Sequence, residues 1–336
     1  MEVGEPAAAG PRPFAPEEMV ACESCVRANP PTRMHCLYCG APLPVTEQSA
    51  ALRRPALKRL EEWEAGFNVV LHPRGGAPVS SAALEEASSL LRIEAGLLRD
   101  CLDAGRALPL ARTASVEEAE LVAGRLRAGN FAVEILSDEA LMLNKSPRRV
   151  RAFGLTEDAL VGLGLPGEEP QRWRWSAVEL MVTGRIVRKR VEVEERREKS
   201  RRDGEVVDAR ELSEDEAVLD LYSSAAADAP GWRVLADNFD YSCLGAGKSL
   251  LARENFTTLV GLLRVRAAGA AFDDEYARLR RLLAAAWPPA ERDDTLGFRR
   301  ERVGRYSTGA VTTVSNEAQF TRYSRLQQHL ARRGRD

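Results

Sequence analysis

Four cysteines, Cys22, Cys25, Cys36 and Cys39, stand in the string CESCVRANPPTRMHCLYCG. Each C-x2-C pair sets two thiolates on one tight turn, where backbone amides can donate to sulfur. Two such turns brought together by a short hairpin supply four soft ligands, and zinc is the ion that suits them. With every position taken by sulfur, the expected site is one structural Zn2+ with no opening for catalysis. A pair of redox dithiols is the alternative reading of the same spacing. His35 adjoins Cys36, but a filled shell does not need it, and it reads as a surface residue.

A second stretch, 240-DYSCLGAGKSLLARENF-256, ends in the Gly-Lys-Ser of a phosphate-binding loop. That loop needs G-x-x-x-x-G-K-[ST], because its amides wrap the phosphates while Lys and Ser meet phosphate and magnesium. Ser242 occupies the place of the first glycine. The expectation is therefore a glycine turn feeding a helix capped near Ser249. Cys243 precedes that helix, where a thiolate would be stabilised, but no histidine of the chain stands in a recognisable catalytic motif. Asp237, Asp240 and Glu254 read as surface-turn carboxylates. Cys101 reads as a small core residue and His72 as a loop or packed histidine. No catalytic and no cofactor-binding residue is assigned.

The one clearly basic region is 296-LGFRRERVGRYSTGAVTTVSNEAQFTRYSRLQQHLARRGRD-336. Phe298, Tyr306, Phe320 and Tyr323 lie among its arginines, including Arg299, Arg300, Arg322 and Arg325, and could stack on bases. The preferred expectation is a flexible, solubilising tail with a weak terminal helix.

These groups sit in a chain of 336 residues, a length that suggests two or three domains. Acidic and basic residues nearly cancel, to a formal net charge of −2. No global field therefore draws the chain toward nucleic acid or membrane. No apolar run reaches the roughly 18 residues of a membrane span. The first residues lack the basic region of a signal peptide. A cytoplasmic protein is expected, with no membrane partner.

The elements expected to position the cysteines begin at residue 20. Residues 1–19 read as disordered, 20–44 as the zinc module, and 45–66 as a linker. That linker carries a short amphipathic helix over 55–66, with Leu57, Leu60 and Trp63 on one face. The module resembles the short bacterial zinc ribbons in its two knuckles, in Asn29-Pro30 between them and in 39-CGAPL-43 after them. Asn29 also falls where Ran-binding-type zinc fingers carry an asparagine, but Val20 replaces their tryptophan. The resemblance implies a zinc-stapled module of the kind used to bind protein or nucleic acid.

Residues 67–140 read as β-α-α-β-α-β: strands at 67–73, 107–112 and 131–136, and helices over 81–105, divisible at Gly96, and 116–130. Ser115 and Glu118 form a capping box. The order resembles the C-terminal domain of the bacterial ribosomal stalk protein and implies a compact α/β binding scaffold. The stalk protein's lysine-rich surface is not matched; Glu85, Glu86, Glu94 and Asp100 stand there instead.

From 148 to 290 the pattern is β-rich. Strands are read in RRVRAFGL, ALVGLG, 176–195, 217–224 and 232–242, with a turn at Thr183-Gly184 and a solvated mixed-charge insert over 194–205. An amphipathic helix follows at 248–269, with Leu251, Asn255, Thr258, Leu259, Leu262 and Val265 near one stripe, and another at 273–287. The order resembles a pleckstrin-homology-like domain. Residues 291–336 are the basic tail.

The expected whole is a multidomain α+β protein: a four-cysteine zinc ribbon, a small βααβαβ domain and a β-rich PH-like domain with a closing helix. The expected function is non-enzymatic, through contacts with a protein partner. Nucleic-acid binding by the ribbon and arginine tail is the alternative. A nucleotide-dependent enzyme using Lys248 and Ser249 comes third.

Overall fold

The computed structural model of the chain describes residues 14–46, 49, 52–73, 78–198, 205–226, 229–302 and 305–334. Of the start expected to be disordered, residues 1–19, those up to 13 lie outside the described set, and Pro16–Glu18 form a 3-10 turn instead. The protein is mixed α+β and divides into two compact units, residues 1–60 with 66–135, and 61–65 with 136–336. No helix among the described residues is long and apolar enough to cross a membrane.

The first unit opens on the cysteine hairpin, in which β1 (Val20–Ala21) pairs antiparallel with β2 (Ala28–Asn29). It continues through β3 (Phe67–Leu71), α1 (Ser81–Leu91), α2 (Ala95–Asp103), β4 (Leu108–Thr113), α3 (Val116–Ala128) and β5 (Val133–Ser137). In the sheet β3 lies between β4 and β5. Val69, Val70 and Leu71 of β3 are buried, as are Leu84, Leu98, Val122 and Leu126 of the helices. Each such burial stabilises by roughly 1.5–3 kcal/mol. Ser115 caps α3, its Oγ accepting the Glu118 N–H at 3.3 Å, and Ser80 caps α1 through the Ala83 N–H at 3.2 Å.

Two local expectations fail in this unit. The helical run breaks at Arg92, whose φ is 57°, while Gly96 sits inside the first turn of α2. Ser88 fixes that break, its Oγ donating to the Ile93 carbonyl at 2.6 Å. The helix expected over 55–66 does not form. Pro55 turns the residue before it away from helical angles. Downstream, Leu57 takes φ 45° and its N–H donates to the Glu118 carboxylate at 2.9 Å. Tertiary partners thus hold this backbone away from a helix.

The second unit is built on two sheets. The larger has seven strands, ordered β14-β15-β10-β11-β12-β6, with β13 on the edge of β10 that β15 also pairs. These are β6 (Arg148–Arg149), β10 (Val178–Glu198), β11 (Glu205–Ser223), β12 (Trp232–Leu235), β13 (Ala271–Asp273), β14 (Ala290–Arg302) and β15 (Arg305–Ser315). The smaller is β7 (Ala152–Leu155), β8 (Ala159–Leu163) and β9 (Gln171–Arg174).

Strand β10 runs unbroken through Thr183-Gly184, so the turn expected there is absent. Gly184 has another reason: a Cβ on it would lie 2.6 Å from the Phe320 ring. The glycine lets a helix approach the sheet. That helix is α6 (Glu317–Arg333), and Phe320, Tyr323 and Leu326 on it are fully buried. On the same face the Tyr222 and Ser324 hydroxyls meet at 2.7 Å. Arg233 pairs with Asp220 through two bonds of 2.7 and 2.8 Å, and both residues are buried. Alternate residues of the strands, Met181, Leu219, Leu221 and Val234, point to the opposite face. There they pack with Phe256, Leu259 and Leu263 of α4 (Ala252–Arg266).

Of the expected stripe of α4, Asn255 and Leu259 are buried, together with Phe256 and Leu263, whereas Leu251 and Val265 are exposed. The short α5 (Tyr276–Leu283) buries Tyr276, Leu279 and Leu283. In place of one closing helix, the sheet carries α4 on one face and α6 on the other.

Along β10, β13 covers Leu180–Val182 and β15 covers Arg188–Glu198. Asn316 bridges the interval: its Oδ1 accepts the Val187 N–H at 2.7 Å and its Nδ2 donates to the Arg185 carbonyl at 3.0 Å. A side-chain amide here replaces a missing stretch of strand.

The expected solvated insert over 194–205 carries the far ends of β10 and β11, with residues 199–204 outside the described set. Nearer the core, Arg185–Asp215 (2.7 Å), Arg188–Glu214 (3.2 Å) and Lys189–Glu211 (3.6 Å) join the two strands. These three pairs make a two-stranded ladder of opposite signs.

The tail expectation needs the largest correction. Residues 291–302 and 305–315 are strands, and 317–333 is a helix whose Phe320, Arg322, Tyr323 and Arg325 are buried. The Arg325 guanidinium donates to the Gln328 side chain and the Lys145 carbonyl, each at 3.0 Å. These arginines read as a basic surface in sequence because the carbonyls of Lys145 and Glu62, which receive Arg325 and Arg322, lie far away in the chain.

Candidate metal centre

Each cysteine turn is built by the same hydrogen bonds. The Val26 N–H donates to the Cys22 carbonyl at 2.8 Å, and the Gly40 N–H to the Cys36 carbonyl at 3.0 Å. The Cys22 N–H reaches Arg27 at 3.0 Å, and the Cys36 N–H reaches Ala41 at 2.8 Å. In both turns the residue after the second cysteine has positive φ, 62° at Val26 and 74° at Gly40. Glycine takes that conformation without strain, whereas a β-branched residue does not. The local structure is thus two copies of one knuckle.

The knuckles bring all four sulfurs within 4.8 Å of one another. Cys22 and Cys39 stand 3.6 Å apart, and Cys25 and Cys36 3.5 Å. Tetrahedral coordination at ~2.3 Å from each sulfur requires separations of ~3.8 Å. A disulfide would require ~2.05 Å, and all four are free thiols. The residues fit one four-coordinate metal ion. Among the described residues no other group of three or more His, Cys, Asp or Glu could hold one. His35 instead makes an isolated bridge with Pro42, and the carboxylates Asp237, Asp240 and Glu254 do not form a cation site.

Protonation of the thiols is uneven. Burial pushes the Cys36 thiol up, but the amides of Tyr38 and Cys39, the Cys25 thiol and the Asn29 amide bring it down to about 6. The Cys25 amide likewise holds Cys22 below the ordinary thiol range, against burial. Cys25 is the counterpart: although the Arg27 amide lowers it, burial and the other three thiols push it up to about 12. Four sulfurs this close cannot all ionise without a cation among them.

Two residues outside the cysteine pattern hold the site. Asn29 is fully buried; its Nδ2 donates to the Arg27 carbonyl at 2.8 Å, and its Oδ1 accepts the Leu37 N–H at 2.8 Å. It ties one knuckle to the other. Arg53 was part of the expected linker, yet it is fully buried and donates to the carbonyls of Pro31, Leu43 and Pro44 at 3.2, 3.1 and 2.8 Å. Its position before Pro55 gave no signal of this role, because its three acceptors are backbone oxygens.

The knuckles expose three large apolar side chains. Val26 is 80% exposed, Leu37 54% and Tyr38 57%, and the Arg27 guanidinium stands 4.7 Å over the Tyr38 ring.

The Gly-Lys-Ser stretch assumes a different form. Residues 241–247 make a 3-10 turn, Gly245 takes φ 53°, and the Lys248 ammonium lies 3.7 Å from Asp240. Asn255 closes the segment, accepting the Ser249 N–H at 2.6 Å and donating back to its carbonyl at 2.8 Å. Burial raises the Cys243 thiol, the direction opposite to an activated nucleophile. Cys101 is buried, and His72 pairs with Glu134 at 2.9 Å.

In the second unit a cleft of about 720 Å³ is lined by Trp63, Asp138, Arg149, Arg233 and Glu317. Its cations are engaged, Arg149 with Glu317 at 3.5 Å and Arg233 with Asp220. No spacing along the chain signals this cleft, since its walls come from distant segments.

Comparison with protein-family models, with curated proteins and with solved structures finds no match to this chain.

Proposed function

We propose that the four cysteines hold one structural zinc ion and that the protein works without catalysis, by docking a protein partner on the outer side of the knuckles. The observation that carries this is the exposure of Val26, Leu37 and Tyr38 around two turns that the cysteines lock. Large apolar side chains held on a rigid support lose little freedom on binding and are the usual anchors of a protein interface. Zinc is the proposed ion because four thiolates in a closed tetrahedral set favour it over harder cations.

Nucleic-acid binding is the alternative, and it loses support where Phe320, Tyr323, Arg322 and Arg325 turn inward. The Lys248–Asp240 pairing and the 3-10 turn before it give a nucleotide site no footing.

A pull-down from host lysate tests the reading, with and without nuclease, using wild type and Leu37→Ser/Tyr38→Ser. The double variant keeps every cysteine. A protein captured after nuclease treatment and lost in the variant is the expected result. Material that disappears with nuclease, or capture unchanged by the variant, overturns it.

A further inference from the structure

Strand β14 is the outermost strand of the seven-stranded sheet, and among the described residues only β15 pairs with it. Its other edge offers backbone donors and acceptors in a row, which is a template for another strand. Proteins guard such edges with charge, and an edge of one sign repels its own copy. The sequence of β14, AERDDTLGFRRER, is arranged differently. Acidic Asp293 and Asp294 precede its centre, and basic Arg299 and Arg300 follow it.

Antiparallel pairing of β14 with itself sets the first half of one strand against the second half of the other. Centred on Gly297, with Leu296 as an extra residue outside the ladder, it places Asp294 opposite Arg299 and Asp293 opposite Arg300, twice over by symmetry. Such pairs work only if both members fall on the same side of the sheet. A strict alternation would forbid that here. The register shift between Thr295 and Gly297 removes the conflict, because one residue drops out of the alternation. In backbone register Asp294 pairs with Val311 and Arg299 with Ser307, partners four residues apart on β15. Asp293 pairs with Thr312 and Arg300 with Tyr306, partners six residues apart, so both spacings are even.

Within the chain Asp293 accepts the Thr312 hydroxyl at 2.6 Å, and Asp294 meets Arg292 at 3.3 Å on an exposed surface. Neither contact occupies the outer backbone edge. Arg302 lies past a second register shift and takes no part.

We propose that β14 pairs edge to edge with the β14 of a second copy of this chain, antiparallel and centred on Gly297, giving a two-fold dimer with a continuous sheet. The backbone ladder supplies the adhesion. The inverted charge order selects a second copy over other strands.

Sedimentation velocity of the full chain tests this with Asp293→Arg/Asp294→Arg, Arg299→Asp/Arg300→Asp, their equimolar mixture and the fourfold exchange. Wild type is expected to dimerise. Each double variant sets like charges opposite each other and is expected to weaken self-association at least tenfold. The mixture should form a one-to-one dimer, because each strand then faces the opposite sign. The fourfold exchange stays self-complementary and should dimerise alone, which separates lost pairing from lost folding. Monomeric wild type, or double variants that self-associate as wild type does, overturns the proposal.

Discussion

The Asn29 amide stands 3.5 Å from the Cys36 sulfur while the same side chain accepts the Leu37 N–H at 2.8 Å. A residue of the first knuckle thereby orients a ligand of the second. Asn29→Ala removes that support and leaves the Leu37 N–H unpaired. The expected result is a 10–100-fold loss of metal affinity, the usual effect of deleting a group that orients a ligand. Competition with a chromogenic chelator measures it.

Cys36→Ala is expected to abolish metal binding and to unfold the hairpin locally, since about 25 residues bury little core without a metal. The second unit has its own sheet and helices and should melt as before. Metal content by mass spectrometry and thermal melting check the two halves of this expectation. Retained metal in the variant would refute the site.

Metal affinity should rise with pH. At neutral pH Cys36, at about 6, is already largely a thiolate, whereas Cys25, at about 12, must surrender its proton to bind. Acidification therefore weakens binding from the outset, and more steeply below about pH 6, where Cys36 is also protonated. Titration at several pH values in weak buffer reads both the affinity and the protons released.

Gly184→Ala drives a methyl group into the Phe320 ring, at 2.6 Å before any adjustment. A loss of about 1–3 kcal/mol is expected, as for overpacked cores. Adding Phe320→Leu should recover part of it, because the smaller side chain vacates the space. Chemical denaturation of the single and double variants gives the comparison.

Asp220→Ala takes the two short carboxylate bonds from buried Arg233 and leaves it only the longer carboxylate contact with Glu317 at 3.6 Å. Breaking a buried pair in this way costs about 3–5 kcal/mol. Asp220→Ala/Arg233→Met should be the more stable protein, because no charge is then stranded. A double-variant cycle by denaturant unfolding provides the measurement.

The cysteine cluster and the α/β elements were legible because each rests on neighbours in the chain. Two C-x2-C turns create their own hydrogen bonds, and Ser115 caps α3 from three residues away. Spacing along the chain is enough to specify such contacts.

The remaining elements depended on partners that spacing cannot reveal. Gly184 resembles a turn residue until Phe320, distant in sequence, is seen against it. The terminal arginines resemble a solvated tail until Lys145 and Gln328 are found receiving Arg325. Arg53 resembles a linker residue until three carbonyls surround it. The sequence alone determined the cysteine cluster and the local turns, through contacts a few residues apart. Only the tertiary structure decided which glycine makes room, which charges are buried and which strand is left at an edge, because those depend on distant segments sharing one space.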